Sequence, residues 1–440
     1  MVDQVVSEFS IPLDKLQEVE TRLTGEFNKG LAREGDDVKV KMLVTYVHSL
    51  PDGSEEGDFL ALDLGGSNFR VLLIKLRKGQ LPEQTAEKFV IDDATKQSTG
   101  VVLFDFIAKC VAEFVKKQNI TTKLPLGFTF SFPVKQLSLT SGTLIRWTKD
   151  FTATGVVGEN VVQLLKEAFV RRGDIDVDVV ALVNDTTGTQ LAVGYLDNNC
   201  LIGLILGTGT NACYMEQLSA VGKYTGDKNK YSQVIINCEW GAFGDDGSID
   251  PWLTTYDKAL DELVQNKKQQ LYEKMISGKY LGEIVRQALL SLIKNGVLFG
   301  GKSSEKFSKF EGFETQYVSM IEAGDVANCK KIFKDVFSIE ASDEDCQSVK
   351  RVCAAVSTRA ARLAGAGVVA LVKKINKLGG CTVAVDGSLY KMHPTFRQNM
   401  DDAMNELAPG NKITMKLSED GSGRGAAIVA AVACRLTKTE

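Results

Sequence analysis

Two glycine-containing turns between apolar segments constrain the fold of this chain more than any other feature. The segment FLALDLGGSNFRVLLIKL, at 59–76, has two apolar runs around a Gly-Gly turn and predicts a β-hairpin of buried strands. The segment LIGLILGTGTNACYM, at 201–215, repeats this plan around Gly-Thr-Gly about 140 residues later. The two sequences are not copies of each other. Their shared plan predicts two lobes of related design, with a boundary near 190–200.

Other segments have the periodicity of helices or of single strands. Apolar residues at helical spacing predict an amphipathic helix over 12–33 and helical structure over 255–295 and 352–376. The segment at 381–390 is typical of a strand followed by a turn. The segment at 420–436 predicts a glycine loop followed by a helix. Because no Pro/Ser-rich linker or low-complexity segment interrupts the chain, we expect the lobes to pack continuously.

Composition excludes several classes of protein. The 440 residues are 44% hydrophobic and 25% charged, with a formal net charge of −4, which is typical of a soluble globular protein and does not favour a nucleic-acid partner. Nine cysteines are scattered singly along the chain, and there are only two histidines. This pattern predicts neither a disulfide framework nor a zinc site. The N-terminus lacks the pattern of a signal peptide, and no apolar run reaches the ~18 residues of a membrane span. These features predict a cytoplasmic protein without a membrane partner.

The stretch GVLFGGKS, at 296–303, fits the pattern of a phosphate-binding loop letter for letter. A true phosphate loop leaves a buried strand and enters a helix whose N-terminus faces the anion. Here the preceding segment, LGEIVRQALLSLIKN, is helix-like, and the following segment, EKFSKFEGF, is polar. We therefore predict that Gly296 caps the end of a helix and that a surface loop follows.

Four other glycine turns lie at predicted strand or helix ends and are better candidates for phosphate binding. They are Asp63–Arg70, Gly207–Asn211, Asp386–Ser388 and Gly421–Gly423. Backbone N–H groups at such turns can bind an anion, Asp63 could hold Mg²⁺ through water, and Arg70 could neutralise a phosphate. Each turn alone could equally be a plain turn. Their occurrence in both halves of the chain favours a nucleotide site.

A second set of polar residues suits a ligand with hydroxyl groups, because Ser, Thr, Asn, Asp and Glu pair well with groups that both donate and accept hydrogen bonds. The set consists of Ser131, Thr148, Lys149, Asn184, Asp185, Glu239 and Glu273. Each could instead be a cap, a loop residue or a solvated acid. Asp185 directly follows the predicted strand at 179–183, which is a natural position for a catalytic base. We expect the neighbouring Phe130, Phe132 and Trp147 to be core residues.

Taken together, these motifs resemble those of the hexokinases over nearly the whole chain. The motifs LDLGGSNFRV, LGFTFSFP, RWTK, LVNDTTGT, GTGTNACYME, EWGAFG, EKMISGKYLGEIVR and VDGSLYKMHP occur in that family's order and close to its spacing. The resemblance implies an α/β fold of two RNase H-like/actin-like lobes around a central cleft, at 1–195 and 196–440. It also implies a single catalytic unit of the invertebrate type, a monomer, that phosphorylates the 6-hydroxyl of glucose and related hexoses with MgATP at the entry to glycolysis.

The resemblance further implies roles for individual residues. Asp185 would be the catalytic base, with Lys149 near the same oxygen. The hexose would contact Ser131, Thr148, Lys149, Asn184, Asp185, Asn211, Glu239 and Glu273. ATP would contact Asp63, Leu64, Gly65, Gly66, Ser67, Asn68, Arg70, Thr208, Gly278, Thr315, Ser319, Asp386, Gly387, Ser388 and Ser422. Mg²⁺ would bind at Asp63 through water, and glucose 6-phosphate would inhibit the enzyme, as it does many animal forms.

Two departures from the family pattern and two competing interpretations stand beside this prediction. Asp150 occupies a position where the family commonly has Gly, and extra residues lie between Asn211 and Glu239 relative to vertebrate units. A non-catalytic sugar sensor on the same fold would keep the sugar-binding residues without turnover. An actin-like ATPase or chaperone would have the glycine turns without Asn184, Asp185 and Glu239.

Overall fold

Two mixed β-sheets organise the structure, a computed structural model that describes residues 1–65, 68–78, 80–148 and 150–438, with the backbone alone at 68, 437 and 438. The strands are β1 (Leu43–Val44), β2 (Gly57–Leu64), β3 (Asn68–Leu76), β4 (Glu83–Val90), β5 (Leu124–Phe130), β6 (Val134–Ser138), β7 (Ser141–Leu144), β8 (Val177–Val183), β9 (Cys200–Leu206), β10 (Thr210–Gln217), β11 (Gln233–Asn237), β12 (Cys381–Asp386) and β13 (Ile413–Leu417).

Helices surround both sheets and the space between them. They are α1 (Val2–Glu8), α2 (Leu13–Ala32), α3 (Asp93–Lys96), α4 (Gly100–Lys117), α5 (Val161–Arg172), α6 (Asp185–Gly194), α7 (Thr255–Leu263), α8 (Leu271–Ile276), α9 (Leu281–Lys294), α10 (Glu305–Ser308), α11 (Thr315–Ala323), α12 (Val326–Phe337), α13 (Asp343–Lys374), α14 (Ser388–Met392), α15 (Phe396–Leu407) and α16 (Gly421–Lys438). Short 3₁₀ helices occur at Leu218–Ala220, Trp240–Ala242, Asp250–Trp252 and Phe299–Gly301.

The two sheets repeat one topology. The first has the order β4-β3-β2-β5-β8, and the second has the order β11-β10-β9-β12-β13, with β1 added beside β11. In each sheet the first three strands along the chain are antiparallel neighbours, and the fourth and fifth run parallel to the first. Both predicted hairpins, β2–β3 and β9–β10, are therefore confirmed. The repeat is the two-lobed, RNase H-like architecture that the sequence predicted.

Helices α6 and α16 fill the space between the sheets. A buried apolar cluster there contains Ala61 and Val183 of the first sheet, Cys213 and Ile235 of the second, and much of α16. The two helices cross closely: a Cβ added to Gly425 would lie 2.0 Å from the carbonyl oxygen of Gly188. Glycine is required at this crossing because the backbones approach without room for a side chain.

Helices from both ends of the chain cross the predicted boundary at 195. Helix α2, predicted over 12–33, packs against α13 in the core of the second sheet, through Leu16, Val19, Leu23 and Phe27. The division of the lobes at 195 stays a prediction, and this helix, which the sequence places in 1–195, contacts the second half of the chain. Conversely, α16 lies against β2, β5 and β8 of the first sheet. Helices α2 and α16 therefore each pack against elements from the other half of the sequence.

Some of the predicted helical segments differ in detail. The segment at 255–295 forms three helices, α7, α8 and α9. The α7–α8 connection contains left-handed residues at Lys268 and Gln270, and α8 ends before Ser277, which is extended. The glycines at 421–423 are the first turn of α16, where a loop was predicted. Within the described chain, α13 is long and apolar enough to cross a membrane by length and composition only, and 83% of its apolar window is buried inside the protein.

The structure confirms the helix cap at Gly296. Gly296 has φ 72°, the N–H of Val297 donates to the carbonyl oxygen of Leu292 at 2.9 Å, and the N–H of Gly296 donates to that of Ile293 at 2.8 Å. These bonds form a Schellman motif at the end of α9. The segment that follows is only partly at the surface, because Phe299 is buried, whereas Lys302 is exposed. A helix precedes this stretch, so it lacks the context of a phosphate loop.

Candidate active site

The predicted site residues gather where parallel strands of the two sheets end. Buried Leu64 ends β2, and Ser131 follows β5 and donates its N–H to the carbonyl oxygen of Leu64 at 3.1 Å. Asn184 follows β8, Gly207 follows β9, and Gly387 follows β12. In open α/β sheets, ligands bind outside the carboxyl ends of the strands. The topology therefore brings the first-lobe and second-lobe candidates to facing edges.

The first-lobe hairpin is joined to the start of α16 by a polar network. Arg70 Nε donates to Asp63 Oδ2 at 3.1 Å, and Ser422 Oγ donates to the same oxygen at 2.8 Å. Arg70 also pairs with Asp420 at 2.5 Å. Two carboxylates thus hold the guanidinium that the sequence assigned to a phosphate, and a phosphate at Arg70 would compete with them. Half-buried Gly65 leads into the turn; the predicted contacts at 66 and 67, and the side chain at 68, lie outside the described residues.

A second turn is built from the end of β9. The N–H of Gly278 donates to the carbonyl oxygen of Gly207 at 2.8 Å, and that of Lys279 donates to the carbonyl oxygen of Thr208 at 3.1 Å. Gly387 packs against this turn with φ 127°, and a Cβ there would lie 2.2 Å from the carbonyl oxygen of Leu206. Thr208 and Ser388, beside these glycines, are exposed. The turn thus presents backbone and hydroxyl groups on an open surface.

Two residues of α11, for which the sequence offered no independent phosphate argument, connect to this turn through Gly278. Thr315 Oγ1 donates to the carbonyl oxygen of Gly278 at 2.5 Å and accepts the N–H of Gly282 at 2.9 Å. Ser319 Oγ donates to the carbonyl oxygen of Thr315 at 3.4 Å. The structure therefore joins Gly278, Thr315 and Ser319 in one hydrogen-bonded set beside Thr208.

Asp185 lies at the N-terminus of α6. Its Oδ1 accepts the N–H of Thr186 at 2.9 Å, and Asn184, the N-cap, accepts the same N–H at 3.0 Å. Burial raises the pKa of Asp386, and the charges of Asp185 and Asp420 raise it further. The charge of the candidate base therefore acts on Asp386, the residue before Gly387. The candidate lysine at 149 lies outside the described residues.

Asn211 and Glu239 form one cluster with a residue that the sequence analysis missed. Asn211 Nδ2 donates to Glu239 Oε1 at 3.2 Å and to Asn237 Oδ1 at 2.8 Å. Asn237 Nδ2 donates to the same Glu239 oxygen at 2.9 Å. Asn237 also lines a small cavity with Asn184 of the first lobe. An asparagine ending the buried strand VIIN was the available signal, because a buried amide needs hydrogen-bond partners.

Glu273 joins this cluster from α8. Its Oε2 accepts the N–H of Thr210 at 3.0 Å, next to Asn211. Glycine at 209 permits this approach, because a Cβ there would lie 2.7 Å from the same Glu273 oxygen. The alternative of a fully solvated helix acid is therefore wrong. Asn211, Glu239 and Glu273 together supply amide and carboxylate groups suited to hydroxyls.

A cleft of about 430 Å³ opens beside this cluster, between the lobes. Pro133, Ile145 and Arg146 line it from the first lobe, and Glu239, Asp245 and Gln270 line it from the second. Half-buried Thr148 lies two residues beyond Arg146, and its carbonyl oxygen accepts the N–H of Phe151 at 3.3 Å.

Neighbouring residues explain the local backbone. Asp150 has φ 67°, a left-handed conformation that glycine adopts without strain, so a glycine would fit the backbone at this position. Phe130 and Phe132 are buried, as predicted. Trp147 packs edge-on against Phe132, with the two ring centroids 4.9 Å apart. The aromatic residues therefore support the segment that carries Thr148 rather than offering a free stacking surface.

The repeated lobes, the cleft between them, and the combination of glycine turns with hydroxyl-binding side chains define a two-lobed sugar kinase fold of the actin-like class. Models of the hexokinase family match residues 1–195 and 201–432. The chain belongs to the hexokinase family.

Individual relatives agree with this family. Hexokinase HKDC1 of Homo sapiens is 47% identical over 449 residues, and Hexokinase-2 of Rattus norvegicus is 47% identical over 434 residues. The matches cover 100% and 96% of this chain but 48% and 47% of those proteins, so the chain spans about half the length of these curated relatives. A hexokinase from Schistosoma mansoni, solved in complex with glucose, is 40% identical, with a TM-score of 0.92 and 98% of each chain covered. Another solved hexokinase is 32% identical, with a TM-score of 0.85.

Proposed function

We propose that this protein transfers the γ-phosphoryl group of MgATP to the 6-hydroxyl of glucose and related hexoses, giving hexose 6-phosphate for glycolysis. One observation carries the proposal: the residue before Asp185 meets the second-lobe cluster. Asn184 lines a small cavity with Asn237, which bonds to both Asn211 and Glu239. The charge of Asp185 also acts on Asp386, the residue before Gly387. The Schistosoma mansoni relative was solved with glucose, which agrees with a sugar in the cleft.

In the proposed reaction, Asp185 accepts the proton of the sugar 6-hydroxyl as that oxygen attacks the γ-phosphorus. Phosphoryl transfer depends mainly on alignment and on neutralisation of charge. Backbone N–H groups of the turns at 207–209 and 387, together with Lys149 and Arg70, supply fixed dipoles and positive charge for this purpose. Asn211, Glu239 and Glu273 orient the sugar so that its 6-hydroxyl faces Asp185.

Mg²⁺ fits the chemistry of this site. Asp63 is a hard oxygen donor at the end of β2, with Arg70 as a neighbouring cation. Among the residues that the structure describes, no group of three or more metal-binding side chains is arranged around one point. Asp63 would hold the ion through water, since Mg²⁺ keeps much of its hydration shell and also binds substrate phosphates. When bound, the ion would neutralise phosphate charge.

Closure of the lobes on the sugar would exclude water, which is a smaller competing nucleophile. The cleft is lined from both lobes. An ion pair also links them: Lys135 Nζ of the first lobe lies 2.6 Å from Glu34 Oε2, which follows α2. Hydroxyl contacts that drive closure would assemble the reacting groups only when sugar is present. This arrangement would keep ATP hydrolysis slow without sugar.

Inhibition by glucose 6-phosphate is a finer part of the proposal. The product's phosphate would bind among Ser67, Thr208, Asp386, Ser388 and Ser422, where the helix α16 presents its positive end. These groups also lie on the proposed path of the ATP phosphates, so inhibition would be competitive with ATP. Initial rates over a grid of ATP and glucose 6-phosphate test this. Inhibition that excess ATP does not relieve would contradict the shared site.

A coupled assay of ADP release separates the proposed function from its two rivals. With glucose, fructose or mannose, the proposed enzyme releases ADP in proportion to sugar phosphate formed, and without sugar it releases little. A sugar sensor would bind glucose without releasing ADP. An actin-like ATPase would release ADP whether or not sugar is present. Size-exclusion chromatography and cell fractionation test the further proposals of a monomer and of a cytoplasmic location.

A further inference from the structure

The carboxylate of Asp245 joins the two segments that carry Glu239 and Glu273. Asp245 lies six residues after Glu239, on the loop beyond the 3₁₀ helix at Trp240–Ala242. Its Oδ1 accepts the N–H of Leu271 at 3.0 Å, and its Oδ2 accepts the N–H of Gln270 at 2.9 Å. These N–H groups stand at the start of α8, whose third residue is Glu273. Both oxygens of one carboxylate are thus committed to the helix that bears Glu273.

Helix α8 depends on a cap from outside its own sequence. It has six residues, and a helix this short has little stability of its own. Its N-cap, Gln270, is left-handed with φ 57° and makes no side-chain capping bond. The first N–H groups of any helix lack partners within that helix, and a negative charge beside them is favourable. Asp245 supplies both the acceptors and the charge.

Close packing connects the same two segments. A Cβ added to Gly241 would lie 2.4 Å from Gln270 Oε1 and 3.0 Å from Glu273 Cβ. Asp245 and Gln270 line the same 430 Å³ cleft as Glu239. A displacement at the start of α8 would therefore change the separation of Glu239 and Glu273.

We propose that Asp245 is a positioning residue for hexose binding, which fixes Gln270 and Glu273 relative to Glu239 without touching the reacting atoms. The proposal rests on the proposed function. It concerns sugar affinity first, because Asp245 bonds to the start of α8, whereas the phosphate turn at 207–209 is bonded by Gly278 and Lys279 beyond the end of that helix. Loss of the Asp245 carboxylate should therefore weaken the sugar far more than ATP.

The environment of Asp245 adds a pH dependence with a defined sign. Burial raises the pKa of Asp245 to about 6, and the bonds from Leu271 and Gln270, together with the charges of Lys274 and Arg146, oppose that rise. The ionised carboxylate accepts both N–H groups, and the protonated form is a weaker acceptor. The ionised form predominates above pH 6, so sugar affinity should fall as the pH decreases through about 6.

The test compares Asp245→Asn with Asp246→Asn in the full chain. Asp246 is an exposed neighbour whose carboxylate accepts the N–H of Ser248 within its own loop, so it is a matched control for the same chemical change. Glucose affinity is measured calorimetrically without ATP, and Michaelis constants are measured by ADP release. We expect Asp245→Asn to raise the glucose Kd and KM about tenfold, the scale of losing one charge-assisted bond, with the ATP KM within twofold of wild type.

A pH series provides the readout that general destabilisation would not give. Between pH 7.5 and 5.5 the glucose Kd of the wild type and of Asp246→Asn should rise with a midpoint near 6, and Asp245→Asn should lack that component. A folded Asp245→Asn protein with unchanged glucose Kd would overturn the proposal, as would equal losses for glucose and ATP. If Asp245→Asn does not fold, the wild-type series decides, and a glucose Kd independent of pH would reject the proposal. ADP release by the wild type is measured first, so failure of the proposed function is recognised separately.

Discussion

Ser422 Oγ donates a hydrogen bond to Asp63 Oδ2 at 2.8 Å, joining residues that are 359 positions apart. Ser422 lies in the first turn of the last helix, and Asp63 lies near the end of the first strand of the opening hairpin. Thr129 Oγ1 strengthens the connection by donating to the carbonyl oxygen of Ser422 at 2.9 Å. The first-lobe part of the proposed nucleotide site is therefore assembled from both ends of the chain.

Replacing Ser422 with Ala should raise the ATP KM by about three- to tenfold. The change removes the hydrogen bond by which Ser422 holds the carboxylate of Asp63. Bonds to charged groups contribute about 1.5–3 kcal/mol, and water can replace part of this contribution where the site is open to solvent. The glucose KM should change less than twofold. Ser7→Ala, which removes an exposed hydroxyl bond in α1, is the matched control. Steady-state kinetics with each substrate varied would contradict the assignment if glucose were the more affected substrate.

Replacing Gly425 with Ala should destabilise the crossing of α6 and α16. The added Cβ would lie 2.0 Å from the carbonyl oxygen of Gly188, and overpacking of this kind costs about 1–3 kcal/mol. Gly25→Ala is a matched control, because Gly25 lies within α2 and a Cβ there meets nothing within 4 Å. That change should leave the free energy of unfolding equal or up to about 1 kcal/mol higher. Denaturant titrations of both variants check the contrast, and equal effects would contradict it.

Replacing Asn237 with Ala should weaken glucose binding. Without the Asn237 amide, Asn211 and Glu239 lose the bridge that holds both of them. Leaving buried polar atoms unsatisfied costs about 1–3 kcal/mol, so we expect a rise of about tenfold in the glucose KM and a measurable loss of unfolding free energy. The ATP KM should stay within twofold. An unchanged glucose KM in a folded variant would show that the cluster does not depend on Asn237.

Replacing Lys302 with Ala should leave the ATP KM unchanged. Lys302 is exposed and follows a Schellman cap, so its stretch has the letters of a phosphate loop without the strand-loop-helix context. A lysine that held a phosphate would contribute about 1.5–3 kcal/mol, equivalent to a rise of about tenfold or more in KM on its removal. Kinetics over a range of ATP concentrations measure this directly, and a tenfold rise would mean that the context argument failed.

The features that the sequence predicted well are those set by local chemistry. Apolar runs on both sides of a glycine turn specify a hairpin, so β2–β3 and β9–β10 were found. The cap at Gly296 depends on a helical pattern followed by glycine, which is also local. The strand before Asn184 and Asp185 could be recognised from its apolar run. In these cases the residues that determine the structure are close in sequence.

The features that were missed depend on contacts between distant segments. The amphipathic pattern of α2 predicts a helix, but not that its apolar face meets α13. Likewise, Asn237 bonds to Asn211 of the neighbouring strand, and Asp245 bonds to the start of α8. Each of these bonds forms only when the sheet and the loop are folded. The ion pair of Arg70 with Asp420, 350 residues away, likewise depends on the folded chain and could not be anticipated.

The central claim is that Asp185 is the base for phosphoryl transfer to a hexose, and Asp185→Asn tests it most directly. Amide and carboxylate are nearly isosteric, so glucose affinity measured without turnover should stay within a fewfold of wild type. The rate of glucose-dependent ADP release should fall by about 10²-fold or more, the scale of general-base catalysis. A folded variant that binds glucose and retains turnover within threefold of the wild-type rate would contradict the account.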